Sequence, residues 1–198
     1  MRSRMICTLA ILSVLQRLSQ LRTYIHSALT LGLEAREIQE IIIQSAIYGG
    51  FPTMVNSLGI AREVFDQRGG VVPDTATPEY SLEELERAGR AIRQSLQGAQ
   101  GNQGYTRPHA LGTDLFQMAL QYGYGEVWQR PGLDRKGRMV CALGAFTALG
   151  CEPQLRGFLL AALRVDYSKV VEILIQTAPY GGFPRALNAM VLANEVLL

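Results

Sequence analysis

A chain of 198 residues, 48% apolar and with a formal net charge of +2, is long enough to bury a core as one or two small domains and is too apolar to be a disordered tail. The small basic excess is spread along the chain without a cluster, which argues against nucleic acid as a partner. Three cysteines without a CxxC pair and only two histidines point to reduced thiols in a cytoplasmic setting, and to neither a disulfide framework nor a metal site.

The chain begins with Arg2 and Arg4 ahead of MICTLAILSVL, the outline of a signal peptide. A similar string, RMVCALGAFTAL from Arg138 to Leu149, stands mid-chain, where no signal peptide sits. Both are therefore read as core helices, the first over 4–18, and both are too short to span a bilayer, so no membrane partner is expected. A second helix covers 20–31 and carries Tyr24 and His26. After the loop TLGLEARE comes EIIIQSAIYGGFP, from Glu40 to Pro52, which returns as EILIQTAPYGGFP from Glu172 to Pro184. Agreement of this kind marks an internal duplication. In each copy an apolar helix ends at Tyr-Gly-Gly, because glycine reaches left-handed dihedrals at little cost, and proline opens the next helix, where its missing N–H is not needed. The next helix repeats as well: Asn56, Ala61, Glu63 and Val64 return as Asn188, Ala193, Glu195 and Val196.

Between the copies, DQRGGVVPDTAT reads as loop, and Ser81 with Glu84 forms a capping box ahead of a helical run. Residues 98–104 read as a second loop, 113–122 as a helix, and YGEVWQRPGLDRKGR as a loop leading into the second copy. That copy opens with the 138–149 helix, followed by a helix over 154–164 that shares Gln-Leu-Arg with the one at 20. No strand pattern is visible. The expected fold is all-α: a first repeat over 1–66, a linker with one helix over 67–104, and a second repeat over 105–198, packed as a helical bundle. In this sequence WQRPGL precedes the second copy and has no counterpart before the first, so it serves both, is supplied by another chain, or is missing from one site.

Several side chains are candidates for chemistry. The planar fork of Arg130 suits a carboxylate, or a helix end or surface acid. Glu40 opens an almost wholly apolar helix, where a carboxyl group gains a raised pKa and becomes a usable acid or base; it is equally a carboxylate favoured by the helix dipole. Glu172 has the same standing. His26 is a possible proton shuttle or a packed side chain. Tyr48 and Tyr180 are phenolic donors or packing anchors, and Trp128 is a pocket wall or core. Cys7 and Cys141 read as small buried hydrophobes, and His109 is left unassigned.

PHALGTD, YGEVWQRPGLDRKGRMV, QLRGFLLAAL and VVEILIQTAPYGGFPRALNA together resemble the carboxymuconolactone decarboxylase family over residues 105–198, and the first copy resembles a shortened second unit. The resemblance implies an all-α oligomer that uses no cofactor. It also implies site positions at Glu40, Glu172, Trp128 and Arg130. Decarboxylases of the family place a histidine in the second helix, where this chain carries Tyr24 and Phe158, so the pocket is expected to be more apolar there. The related alkylhydroperoxidase D branch uses a CxxC pair, absent here, so peroxidase chemistry is not expected. The implied function is a cofactor-independent acid–base enzyme acting on a small unsaturated lactone, carboxylate or cyclic carbonyl compound, by decarboxylation, isomerisation or cyclisation. The alternative is a non-catalytic binding or assembly module. Helices that are apolar nearly all round point, with the resemblance, to a homo-oligomer, a trimer of tandem repeats or a dimer.

Overall fold

The computed structural model describes residues 1–69, 78–98, 112–165 and 168–198; His109, most of PHALGTD and much of the inter-copy loops lie outside them. The described residues are all-α, with no strand. In the first copy α1 is Arg2–Val14, α2 Leu18–Thr30, α3 Ala35–Gly49 and α4 Phe51–Gln67. Then come α5, Leu82–Gln97, and α6, Thr113–Met118, which runs on as a π-helical stretch, Ala119–Glu126, and a 3-10 turn, Val127–Gln129. The second copy is α7 Arg135–Leu149, α8 Glu152–Arg164, α9 Val170–Gly181 and α10 Phe183–Leu197.

The chain forms two compact units, Met1–Asp74 with Gly132–Leu198, and Thr75–Pro131. In the first unit α1 and α7 lie at the centre, each touching α3 and α9, while α2 with α4 and α8 with α10 pack outside. The central position follows from sequence. α1 is buried from Ile6 to Val14 and α7 from Gly137 to Ala148, so each needs neighbours on every side. They approach closely because residue 144 is glycine: a Cβ there would lie 3.0 Å from Cys7 Sγ.

The duplication is visible in three dimensions. Arg22 pairs with Glu63, and at the matching positions Arg156 pairs with Glu195 at 2.8 Å. The corners match as well. Gly50 has φ 89 and Gly182 φ 98, a backbone region that disfavours side chains, and Pro52 and Pro184 each sit in the first turn of the following helix.

Two boundaries differ from those read in the sequence. The first helix ends at Val14 rather than near residue 18, because Gln16 adopts φ 54. Its amide is held by Ser13 O and Thr53 O, at 2.8 and 3.1 Å, and its Oε1 accepts from Asn56, bonds that offset the backbone strain. The stretch YGEVWQ is helical rather than loop, because Gly125 and Gly89 let the π-helical stretch lie against α5; a Cβ on either would be 2.1 Å from a carbonyl oxygen of the facing helix. The capping box at Ser81 and Glu84 forms as expected, with both bonds present.

Candidate active site

α3 brings Glu40, Gln44 and Tyr48 onto one face at i, i+4, i+8, and α7 faces them with Arg138. Glu40 is 0% exposed. One of its carboxylate oxygens lies 2.8 Å from Arg36 Nη2 and the other 3.2 Å from Arg138 Nη2. Arg138 Nη1 donates to Gln44 Oε1 at 2.8 Å, and Gln44 Nε2 donates to Tyr48 Oη at 2.9 Å. Burial pulls the Arg138 guanidinium below its ordinary value, and Glu40 works against that by hydrogen bond and charge. Gly132, the glycine of WQRPGL, closes the pair from above: a Cβ there would meet Arg36 Cγ at 2.9 Å and Glu40 Cγ at 3.2 Å.

The chain of contacts ends in aromatics. The Tyr48 ring meets Phe146 edge-on at 4.7 Å, and Phe146 meets Phe158 at 5.0 Å. Phe158 is buried.

The equivalent positions in the other copy are arranged differently. Glu172 is exposed, so it lacks the apolar surroundings expected for it. Gln176 donates to Thr8 Oγ1 at 3.0 Å. Tyr180 does not pack on a phenylalanine; its hydroxyl lies 2.8 Å from that of Tyr24, with the rings edge-to-face at 5.4 Å. Both rings are half-buried. The Tyr24 phenol is pushed up, first by its hydrogen bond to Tyr180, then by burial and by the neighbouring phenol's charge. Tyr180 also lines a hollow of about 580 Å3 together with Leu15, Arg17, Gly182, Pro184 and Arg185.

The remaining candidates sit elsewhere. His26 Nδ1 accepts from Arg68 Nε at 3.3 Å, and Arg68 also bonds the His26 carbonyl and Thr30, so the imidazole ties α2 to the end of α4. Two residues from Tyr24 on a helix, it faces another side. Trp128 and Arg130 belong to the second unit. There Trp128 is buried and stacks on Tyr124 at 6.4 Å, and Arg130 lies 3.5 Å from Glu126. Cys7 and Cys141 are fully buried, and burial pushes the Cys7 thiol up to about 12 and Cys141 higher still, so neither is a nucleophile at neutral pH.

Sequence reasoning missed Arg138, Arg17 and Arg185. The signal for Arg138 is its alignment with Arg4 at the head of the repeated apolar helix. For the other two it is the mismatch between copies, Arg17 opposite Cys151 and Arg185 opposite Thr53.

Among known proteins, the model of the carboxymuconolactone decarboxylase family matches residues 1–63 and 113–195. The chain is 34% identical over 85 residues to a 4-carboxymuconolactone decarboxylase of Acinetobacter baylyi, covering 42% of this chain and 63% of that protein. It is 35% identical over 81 residues to an uncharacterized 15.0 kDa protein of Paracoccus denitrificans, covering 39% and 60%. It is 30% identical over 83 residues to the nitrosuccinic acid decarboxylase npaB of Metarhizium robertsii, covering 41% and 58%. The chain thus spans about six tenths of the length of these relatives.

Proposed function

The chain belongs to the carboxymuconolactone decarboxylase family, and from that premise we propose that it is a cofactor-independent acid–base lyase acting on a small unsaturated lactone or carboxylate, with Tyr180 as the proton donor. The observation that carries this reading is the hydroxyl pair of Tyr24 and Tyr180, 2.8 Å apart, with Tyr180 on the wall of the hollow. Either hydroxyl can donate in this pair; in the proposed reacting arrangement Tyr24 donates to Tyr180, which leaves the Tyr180 proton for the ligand. In decarboxylation the bond from carbon to the carboxylate breaks and CO2 leaves. The electron pair enters the conjugated carbonyl system, and Tyr180 protonates the far carbon. The Tyr24 hydrogen bond then stabilises the Tyr180 phenolate until water restores its proton. The same donor serves isomerisation or ring closure, in which a proton moves without loss of CO2.

Glu40 has a positioning role in this scheme. Sealed between two guanidiniums, it holds Arg138, which fixes Gln44 and Tyr48. The same sealing favours the competing reading, a binding module without chemistry. Self-association belongs to the proposal, as a trimer of duplicated chains or a dimer. Supporting it, Phe51 and Val55 are exposed on α4 and so are their counterparts Phe183 and Leu187 on α10.

The test is turnover. The pure protein is mixed with 4-carboxymuconolactone, followed by absorbance, and with nitrosuccinic acid, followed by CO2 release. Loss of either compound above the buffer rate is expected; no turnover of either overturns decarboxylation of these compounds.

A further inference from the structure

The two corners are written in nearly the same residues, so each acts as a control for the other. At the first, Tyr48 is engaged by Gln44 and packed on Phe146, and Thr53 donates back to the Gly50 carbonyl at 2.7 Å. Thr53 also presses on Gly49, where a Cβ would lie 2.7 Å from its hydroxyl. The positions matching Arg17 and Arg185 are Cys151 and Thr53, neither of them cationic. At the second corner the same backbone faces the hollow of about 580 Å3, with Arg17 arriving from the α1–α2 turn and Arg185 from the first turn of α10. Arg185 Nη1 donates to the Ala148 carbonyl, which anchors the guanidinium and leaves its other N–H groups for a ligand. Tyr24 stands where the other copy has Phe158. Every one of these differences makes the second corner more polar and more cationic.

We propose that Arg17 and Arg185 are the specificity-determining pair of this hollow, gripping a carboxylate of the substrate beside the Tyr180 hydroxyl. It rests on the tyrosine pair being the reacting end. Two guanidinium side chains lining one hollow suit a carboxylate better than a neutral carbonyl compound, because each offers paired N–H donors as well as charge. Both residues are exposed, so the grip weakens as salt is added.

The experiment titrates the full-length protein with maleate, a dicarboxylate without a lactone ring, by calorimetry in low salt. One maleate per chain is expected, with affinity falling about tenfold in each of Arg17→Ala and Arg185→Ala, the loss of one charge-assisted contact. Arg17→Lys should recover part of it, and Arg156→Ala, which touches only the exposed Glu195 pair, should change nothing. No heat up to about 10 mM, where even a weak specific site registers, or unchanged affinity in the Arg17→Ala/Arg185→Ala chain overturns the proposal. The kinetics separate it from the catalytic reading: the arginine variants should raise KM, whereas Tyr180→Phe should lower kcat. Maleate binding that depends on both arginines in a protein without turnover keeps the cradle and removes the chemistry. Turnover that depends on Tyr180 with KM indifferent to both arginines does the reverse.

Discussion

At the scale of single residues, burial decides which titrating groups matter. Cys7 titrates near 9.0 when exposed and near 12 in the fold. Above about pH 9 the unfolded chain sheds a proton that the folded chain keeps, so stability falls by about 1.4 kcal/mol per pH unit for this thiol until about pH 12. Cys7→Ala should therefore cost stability at pH 7.5, through a small cavity, and recover it at pH 10.5; urea unfolding at both values measures this. Glu40 and Arg138 form the other pair at this scale. Glu40→Gln leaves the buried Arg138 and the partly buried Arg36 short of their counter-charge and should cost about 3–5 kcal/mol, while Glu40→Leu with Arg138→Met should cost much less than either single change. Sequence showed Glu40 at the head of an apolar run, and so marked it as unusual. It could not show that a guanidinium 98 residues away would face it, because that contact comes from the crossing of α3 and α7.

Elements were legible where their signals are local. The YGGFP corners and the Ser81 capping box are short patterns with fixed backbone consequences, and both formed where expected. The end of α1 was not legible, since glutamine is no mark of a left-handed residue; only its hydrogen bonds, made by the fold, hold Gln16 there. Its counterpart Gly150 has φ 73, so the second copy reaches the same turn without strain. Gln16→Ala and Gln16→Gly lose the same side-chain bonds, and the alanine chain should be less stable by about 1 kcal/mol, which thermal unfolding of the two resolves. The π-helical stretch was missed because no period of apolar residues announces it; two glycines do. Gly89→Ala would push a methyl into the Leu120 carbonyl and should cost about 3 kcal/mol or more, with loss of helical signal from that unit.

For the whole molecule, duplication followed by divergence explains why one chain holds two unlike corners. The repeat itself was plain in sequence, and the WQRPGL and YGGFP blocks carried the family. Which ring each repeated tyrosine meets was not, because that depends on the packing of distant helices: Phe146 in one case, Tyr24 in the other. No helix among the described residues is long and apolar enough to cross a membrane. The proposal of self-association rests on the exposed apolar positions of α4 and α10. Light scattering should give a mass that is a multiple of 21.8 kDa, and a strict monomer would contradict self-association. The most direct measurement is kcat of Tyr180→Phe on whichever compound the protein turns over, beside Arg156→Ala as the surface control. A fall of about 100-fold or more in the first with the second unchanged is expected for loss of a general acid; equal turnover in both would contradict Tyr180 as the proton donor.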